Sequence, residues 1–273
     1  SPEMIVTRSP RSYHSQIGVP LSVWLLNENT QIGVFEAGIS KPGEMLALRD
    51  IIQQTIGGFT SLGTAHQENF PSLEAKCLEK LKLFHDTQAI VYSEDDQVLN
   101  DCISAKNYKG ESLNWSAKDV HAAFFIKSIE KKDIETTVSY VWKEKVEGQY
   151  KLPFIDDASV ENSITCAVVS LHLGIDPVHL AERMAKLEPV AMRLEVKEGQ
   201  HGCTLINDSY NSDYNSLDIA LDFMNRRPDH KGRKRTLILS DILQSGESGK
   251  ELYNKVAFLC EKRGVEKFIG IGE

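Results

Sequence analysis

The chain has 273 residues, a length that fits one large domain or two ordinary ones. Hydrophobic content of 41% and 26% charged residues are ordinary for a globular fold. The formal net charge of −8 argues against a nucleic-acid backbone as main partner, because neutralising phosphates needs surplus lysine and arginine.

The opening stretch "SPEMIVTRSP" lacks the long apolar core of a signal peptide, and no segment approaches the roughly 20 apolar residues that span a bilayer, so membrane insertion is not expected. Within it "EMIVT" reads as a strand, followed by a second at Ile32–Phe35 that ends on Glu36 and an Ala37-Gly38 turn. A helix is predicted from about Ser72 to Phe84, then a strand "AIVYS" over 89–93. From about Ala123 to Phe154 the alternation and a Glu147-Gly148 turn predict a small antiparallel insertion. Ser159 then caps a helix whose buried stripe is Val160, Ile164, Val168 and Leu171, and Asp176-Pro177 starts another. That helix runs out near Pro189, where a domain boundary is placed, giving domains 1–189 and 190–273.

The remainder holds strands "TLIND", "RTLILSD" and "KFIGIG" and two helices, the second closed by Gly264. Strands alternating with helices predict an α/β fold with a mostly parallel sheet. The unfinished second sheet suggests a fragment of a longer protein. Five scattered cysteines, at 77, 102, 166, 203 and 260, fit reduced thiols and a cytoplasmic location. The basic run from His230 to Arg235 reads as a solvated loop.

Three stretches could carry chemistry. A carboxylate after a buried strand, Glu36, sits where open α/β sheets bind ligands, or simply faces solvent. In "GTAHQENFPSLEAKCLEKLKLF", Leu73, Cys77, Leu81 and Phe84 share one helix face and Lys80 falls inside it, while Glu79 and Lys82 point to solvent. A lysine in an apolar stripe snorkels, pairs with an acid or is chemically altered, and His66 just ahead of the helix is a structural residue or a ligand. In "TLINDSYNSDYNSL" the polar cluster at a strand-to-helix turn is either a cap with an Asx turn or a nucleotide site. No phosphate loop of the form G-x-x-x-x-G-K-[ST] is present, and the decoy "SGESGKELY" reads as a helix start.

Together these stretches resemble the Mur ligase family. "SQIGVPLSV", "VFEAGISKPGEM", "TAHQENFPSLEAKCLEKLKLF", "SVENSITCAVVS" and "TLINDSYNSDYNSL" occur in family order over nearly the whole chain. The "DSYN" at 208–211 is most similar to the members that add D-Ala-D-Ala to UDP-MurNAc-tripeptide. The resemblance implies a central ATP-binding domain and a partial Rossmann-like C-terminal domain. It implies ATP and Mg2+, with Glu36, His66 and a carbamylated Lys80 around the metal and Lys80, Arg193 and His66 as catalytic groups. Asn162 would contact adenine, Arg193 the phosphates and Asp208 the ribose, with Tyr210 and Asn211 lining the cleft.

The family's N-terminal domain and phosphate loop are missing from these residues, so the 273 residues alone are expected neither to hydrolyse ATP nor to form amide bonds. Ser159 stands where many relatives carry asparagine, and "TAHQENF" replaces a commoner His-Leu-Glu pattern. Some relatives resemble the front half of a fusion with alanine racemase. The competing readings are a folylpolyglutamate- or cyanophycin-type ligase and a non-catalytic binding module.

Overall fold

The computed structural model describes residues 4–10, 13–63, 67–106, 108–132, 134–188, 193–210, 212–227, 232–242 and 248–272. The chain divides into two compact units, Ser1–Phe125 and Ile126–Glu273. The boundary expected near 189 lies outside the described residues.

In the first unit β1 (Val6–Arg8) pairs in parallel with β2 (Ile32–Val34), with α1 (Gly18–Val23) between them in the chain. Both strands are shorter than their apolar runs predict, and β2 stops two residues before Glu36. There follow α2 (Glu44–Ile52), β3 (Ile56–Gly58), α3 (Leu73–Leu81), β4 (Ala89–Ser93), α4 (Gln97–Ala105), β5 (Glu111–Ser116) and β6 (Phe124–Lys132). Strands β3, β4 and β5 are parallel neighbours, and Phe124 and Phe125 extend the arrangement in parallel beside Trp115 and Ser116. All five residues of β4 are buried, which is why it reads as a continuous apolar run. Strand β3 escaped the sequence reading because two of its three residues are glycine. Gly57 is there for packing: a Cβ would lie 2.3 Å from the Phe84 ring, so only glycine lets that ring cover the strand. The core beside the sheet gathers Val19, Met45, Leu48, Cys77, Ile90 and Leu99.

The second unit continues β6 and adds β7 (Glu135–Trp142) and β8 (Val146–Leu152), which pair antiparallel with Trp142 opposite Val146. The antiparallel insertion is therefore present, but its turn is not at Glu147-Gly148. The chain reverses through Lys143 and Glu144, both in the left-handed region at φ +48° and +56°. Gly148 lies inside β8 opposite Tyr140, where a Cβ would come within 2.5 Å of the phenol. Tyr140 is buried, so its ring has little room to retreat. Gly148→Ala is expected to destabilise the fold by about 1–3 kcal/mol through overpacking. Chemical denaturation checks this; an unchanged midpoint would mean the ring relocates freely.

Helix α5 (Asp157–His172) is capped not by Ser159 but by Asp156, whose carboxylate accepts the Ser159 N–H at 2.8 Å. Val160, Ile164, Val168 and Leu171 form its buried stripe as expected. Asp176 caps α6 (Pro177–Met184) with proline at its first turn. Then come β9 (Glu195–Glu198), β10 (Thr204–Asn207), α7 (Tyr214–Arg226), β11 (Thr236–Ser240), α8 (Gly249–Lys262) and β12 (Lys267–Ile271). Strands β9 and β10 are antiparallel, β11 and β12 parallel. Ser248 caps α8, so "SGESGKELY" contains a helix start. Gly264 at φ +71° ends that helix, with the Val265 N–H on the Cys260 carbonyl at 2.9 Å.

His230 and Lys231 of the basic run lie outside the described residues. Its later arginines are not simply solvated: Arg233 donates to Thr204 Oγ1 at 2.6 Å and Arg235 to the Arg263 carbonyl at 3.2 Å. All five cysteines are free thiols, with Cys77, Cys102 and Cys260 buried and Cys166 and Cys203 exposed. Among the described residues no helix is long and apolar enough to cross a membrane.

Candidate active site

Glu36 follows β2 in an extended segment and its side chain is 73% exposed. Its backbone N–H donates to Ser9 Oγ at 3.3 Å, and its carboxylate lies 3.8 Å from His14 Nδ1. Ala37-Gly38 docks on His14: the Gly38 N–H donates to the His14 carbonyl at 2.8 Å, and a Cβ at 38 would lie 2.6 Å from its ring. The glycine thus permits a close contact that holds the Glu36 segment against the stretch leading into α1.

Helix α3 starts at Ser72, whose hydroxyl accepts the Ala75 N–H at 3.1 Å, and ends in a 3-10 turn over Lys82–Phe84. Lys80 is half-buried and pairs with no acid. Its ammonium donates to the Ser61 carbonyl at 3.2 Å and lies 5.3 Å from the centre of the Phe59 ring. Burial pushes its pKa down from 10.5 to about 8, with the positive charge of Lys76 adding to the effect.

Lys76, absent from the sequence reading, is the more deeply buried lysine at 1% exposure. It donates to the Gly63 carbonyl at 3.0 Å, two residues from the carbonyl that Lys80 uses. Burial lowers its pKa too, against an opposing pull from Glu68. A face drawn at three- and four-residue steps, 73-76-77-80-81-84, contains both lysines and would have found it.

Glu79, expected to point to solvent, is buried. Its carboxylate accepts the Gly43 N–H at 2.7 Å and pairs with Lys82 at 2.5 Å. Gly43 is the N-cap of α2 and has no side chain of its own to cap with, so the acid from α3 supplies the acceptor.

His66 lies outside the described residues. Among the described residues no three His, Cys, Asp or Glu side chains gather where a metal ion could sit. Glu36 and Lys80 are not joined by a hydrogen bond or ion pair. An ammonium is no ligand for a hard cation, so this donor set fits magnesium only if Lys80 is converted to an oxygen donor.

In the second unit the antiparallel pair β9–β10 brings three of the expected residues together at one end. Its last register pair is Glu195 with Asn207. Just beyond it, the Leu194 N–H donates to Asp208 Oδ1 at 3.0 Å, and the central carbon of the Arg193 guanidinium lies over the Tyr210 ring, 4.3 Å from its centre. The Ser209 N–H and hydroxyl both donate to Asn207 Oδ1, at 3.3 and 2.8 Å. An Asx turn is therefore present, which is one of the two readings the sequence left open. Burial raises the Asp208 pKa, while the Leu194 N–H and Arg193 pull it the other way. The negative charge of Asp156, at the start of α5, adds to the rise. Asn162 lies on the exposed face of α5, opposite the buried stripe, and Asn211 lies outside the described residues.

Residues 2–170 match the Mur ligase middle domain. The chain belongs to the Mur ligase family. The UDP-N-acetylmuramoyl-tripeptide–D-alanyl-D-alanine ligase of Bacillus subtilis is 22% identical over 281 residues, covering 98% of this chain and 57% of the relative. The chain thus spans a little over half the length of that curated Mur ligase. Crystal structure I of MurF from Acinetobacter baumannii superposes with a TM-score of 0.83 at 17% identity, over 99% of this chain and 58% of the other. A MurF ligase from Thermotoga maritima, solved in complex with ADP, gives 0.77 at 20% identity, over 99% and 65%. These structures share the fold expected from the sequence, a mostly parallel sheet with flanking helices.

Proposed function

We propose that the chain is part of a cytoplasmic, ATP-dependent Mur ligase that joins D-Ala-D-Ala to UDP-MurNAc-tripeptide during peptidoglycan synthesis. Family membership and the names of its relatives support the reaction class. The observation that carries the site is the amine of Lys80, held among a carbonyl and an aromatic ring with a pKa of about 8. A neutral amine attacks the carbon of carbon dioxide and sheds one proton, leaving a carbamate with two oxygen donors. A lysine on a buried face, reached by no acid, is suited to that conversion.

Glu36, His66 and the Lys80 carbamate would then hold Mg2+, and Asn162, Arg193 and Asp208 would contact ATP, with Tyr210 and Asn211 lining the same site. The metal, when bound, offsets negative charge on the phosphates. Arg193 presents a planar fork of donors that suits a phosphate, and Asp208, which holds the Leu194 N–H with one carboxylate oxygen, would accept a ribose hydroxyl with the other. In the overall reaction the tripeptide's terminal carboxylate takes the γ-phosphoryl group of ATP, releasing ADP. The amine of D-Ala-D-Ala then displaces phosphate and forms the amide.

The test is ADP release by the gene product that contains this chain, supplied with UDP-MurNAc-tripeptide, ATP and magnesium. Release that depends on added D-Ala-D-Ala is expected. Release with glutamate and a folate acceptor instead would move the proposal to a folylpolyglutamate-type ligase, and no release with any acceptor would favour a binding module.

A further inference from the structure

We propose that Tyr210 is a positioning residue for Arg193, its ring fixing the guanidinium so that the fork of N–H donors is ready for the phosphates of a nucleotide. The inference rests on the phosphate-binding reading of Arg193 given above.

The geometry follows from the register of β9 and β10. Past the Glu195–Asn207 pair the two strands part, and each is bent by a specific device. Leu194 adopts the left-handed region at φ +48°, a conformation that costs a branched-chain residue free energy and therefore needs an external hold. Asp208 supplies it by accepting the Leu194 N–H. On the other strand Asn207 Oδ1 turns the chain at Ser209. The two bends bring the Arg193 guanidinium over the Tyr210 ring, its central carbon 4.3 Å from the ring centre.

Arg193 makes no ion pair among the described residues, so its donors are not spent on a carboxylate. A guanidinium lying on an aromatic face keeps all five N–H groups in its own plane, directed outward past the ring edge. The stack thus restrains a long exposed side chain without using any group that a phosphate would need. An unrestrained arginine would lose that rotamer freedom at the moment of binding. Asp208 ties the same hairpin end through its other oxygen, so the ribose contact and the phosphate contact are set relative to each other by one local structure.

The experiment measures affinity for ATP, ADP and adenosine by calorimetry in the gene product containing this chain. The proteins are wild type, Tyr210→Phe, Tyr210→Leu, Arg193→Ala and the Tyr210→Leu/Arg193→Ala double variant. Phenylalanine keeps the stack and should hold ADP within about twofold of wild type. Leucine removes it and should weaken ADP and ATP about three- to tenfold, with adenosine unchanged. The double variant should bind no worse than Arg193→Ala, because the ring acts through the arginine. A ring that merely supported the fold would shift all three ligands together or add to the arginine loss, and either result overturns the proposal. So does a Tyr210→Leu protein that binds ADP as wild type does.

The ring-current shift of the Arg193 Nε–H proton, seen by NMR without nucleotide, reads the stack itself. It should persist in Tyr210→Phe and vanish in Tyr210→Leu; its absence from wild type also overturns the proposal. If the shift is present but wild type binds no nucleotide, the phosphate-binding reading has failed and this proposal falls with it. If wild type binds and the variants do not discriminate, only the positioning role falls.

Discussion

Lys80→Ala is expected to cut ligase turnover about 100- to 1,000-fold, the usual cost of removing one charge-stabilising group from a phosphoryl- or acyl-transfer site. The loss has a chemical signature that separates it from a folding defect. With a folded-state pKa of about 8 the amine is mostly protonated at neutral pH and becomes neutral as pH rises through that value. Only the neutral form has a lone pair for carbon dioxide. At fixed dissolved carbon dioxide, carbamate on Lys80 should therefore increase between about pH 7 and pH 9, well below where an ordinary lysine would respond. Carbon-13-labelled carbon dioxide would give a carbamate resonance in wild type that Lys80→Ala lacks. A variant retaining full turnover would remove Lys80 from the chemistry altogether.

Ile164→Ala carries the largest expected effect on stability, about 2–5 kcal/mol. Ile164 is fully buried in the middle of the α5 stripe, between Val160 and Val168, where a deleted side chain leaves a hole that rigid neighbours cannot close. The same helix presents Asn162 on its outer face. The variant should show a lowered denaturation midpoint, and weaker adenosine binding at temperatures where the wild-type helix is fully formed. A loss below about 0.5 kcal/mol, the range of ordinary surface changes, would mean that α5 is packed more loosely than its burial indicates.

Legibility in the sequence depended on how each residue's role is encoded. Strand β4 was visible because burial on both faces demands an unbroken apolar run, whereas β3, with two glycines, was invisible because its packing partner Phe84 is 27 residues away. The hairpin turn was misplaced for a related reason. Gly148 signalled a turn by local chemistry, but its actual constraint is the Tyr140 ring on the neighbouring strand. At the candidate site, the three-residue step that reaches Lys80 from Cys77 also reaches Lys76 from Leu73, so helical spacing encodes both lysines of this face. The same spacing sends Glu79 to solvent, since nothing local to Glu79 announces that a helix start 36 residues earlier needs an acceptor. The polar turn after β10 reads in sequence equally as a cap and as a ligand site. The structure contains the turn, and Arg193, 17 residues before Tyr210 in the chain, meets it only through strand pairing.

The link between Glu79 and Gly43 also bears on how the first unit breathes. An amide at the beginning of a helix ordinarily exchanges its hydrogen freely, because fraying starts there. Here that amide is bonded to a carboxylate on α3, so α2 cannot fray from its first turn without breaking a charge-assisted bond to the helix that bears Lys80. The two helices therefore open as one cooperative element. The lifetime of the Lys80 environment is then governed by the opening of the pair rather than by the short α3 alone.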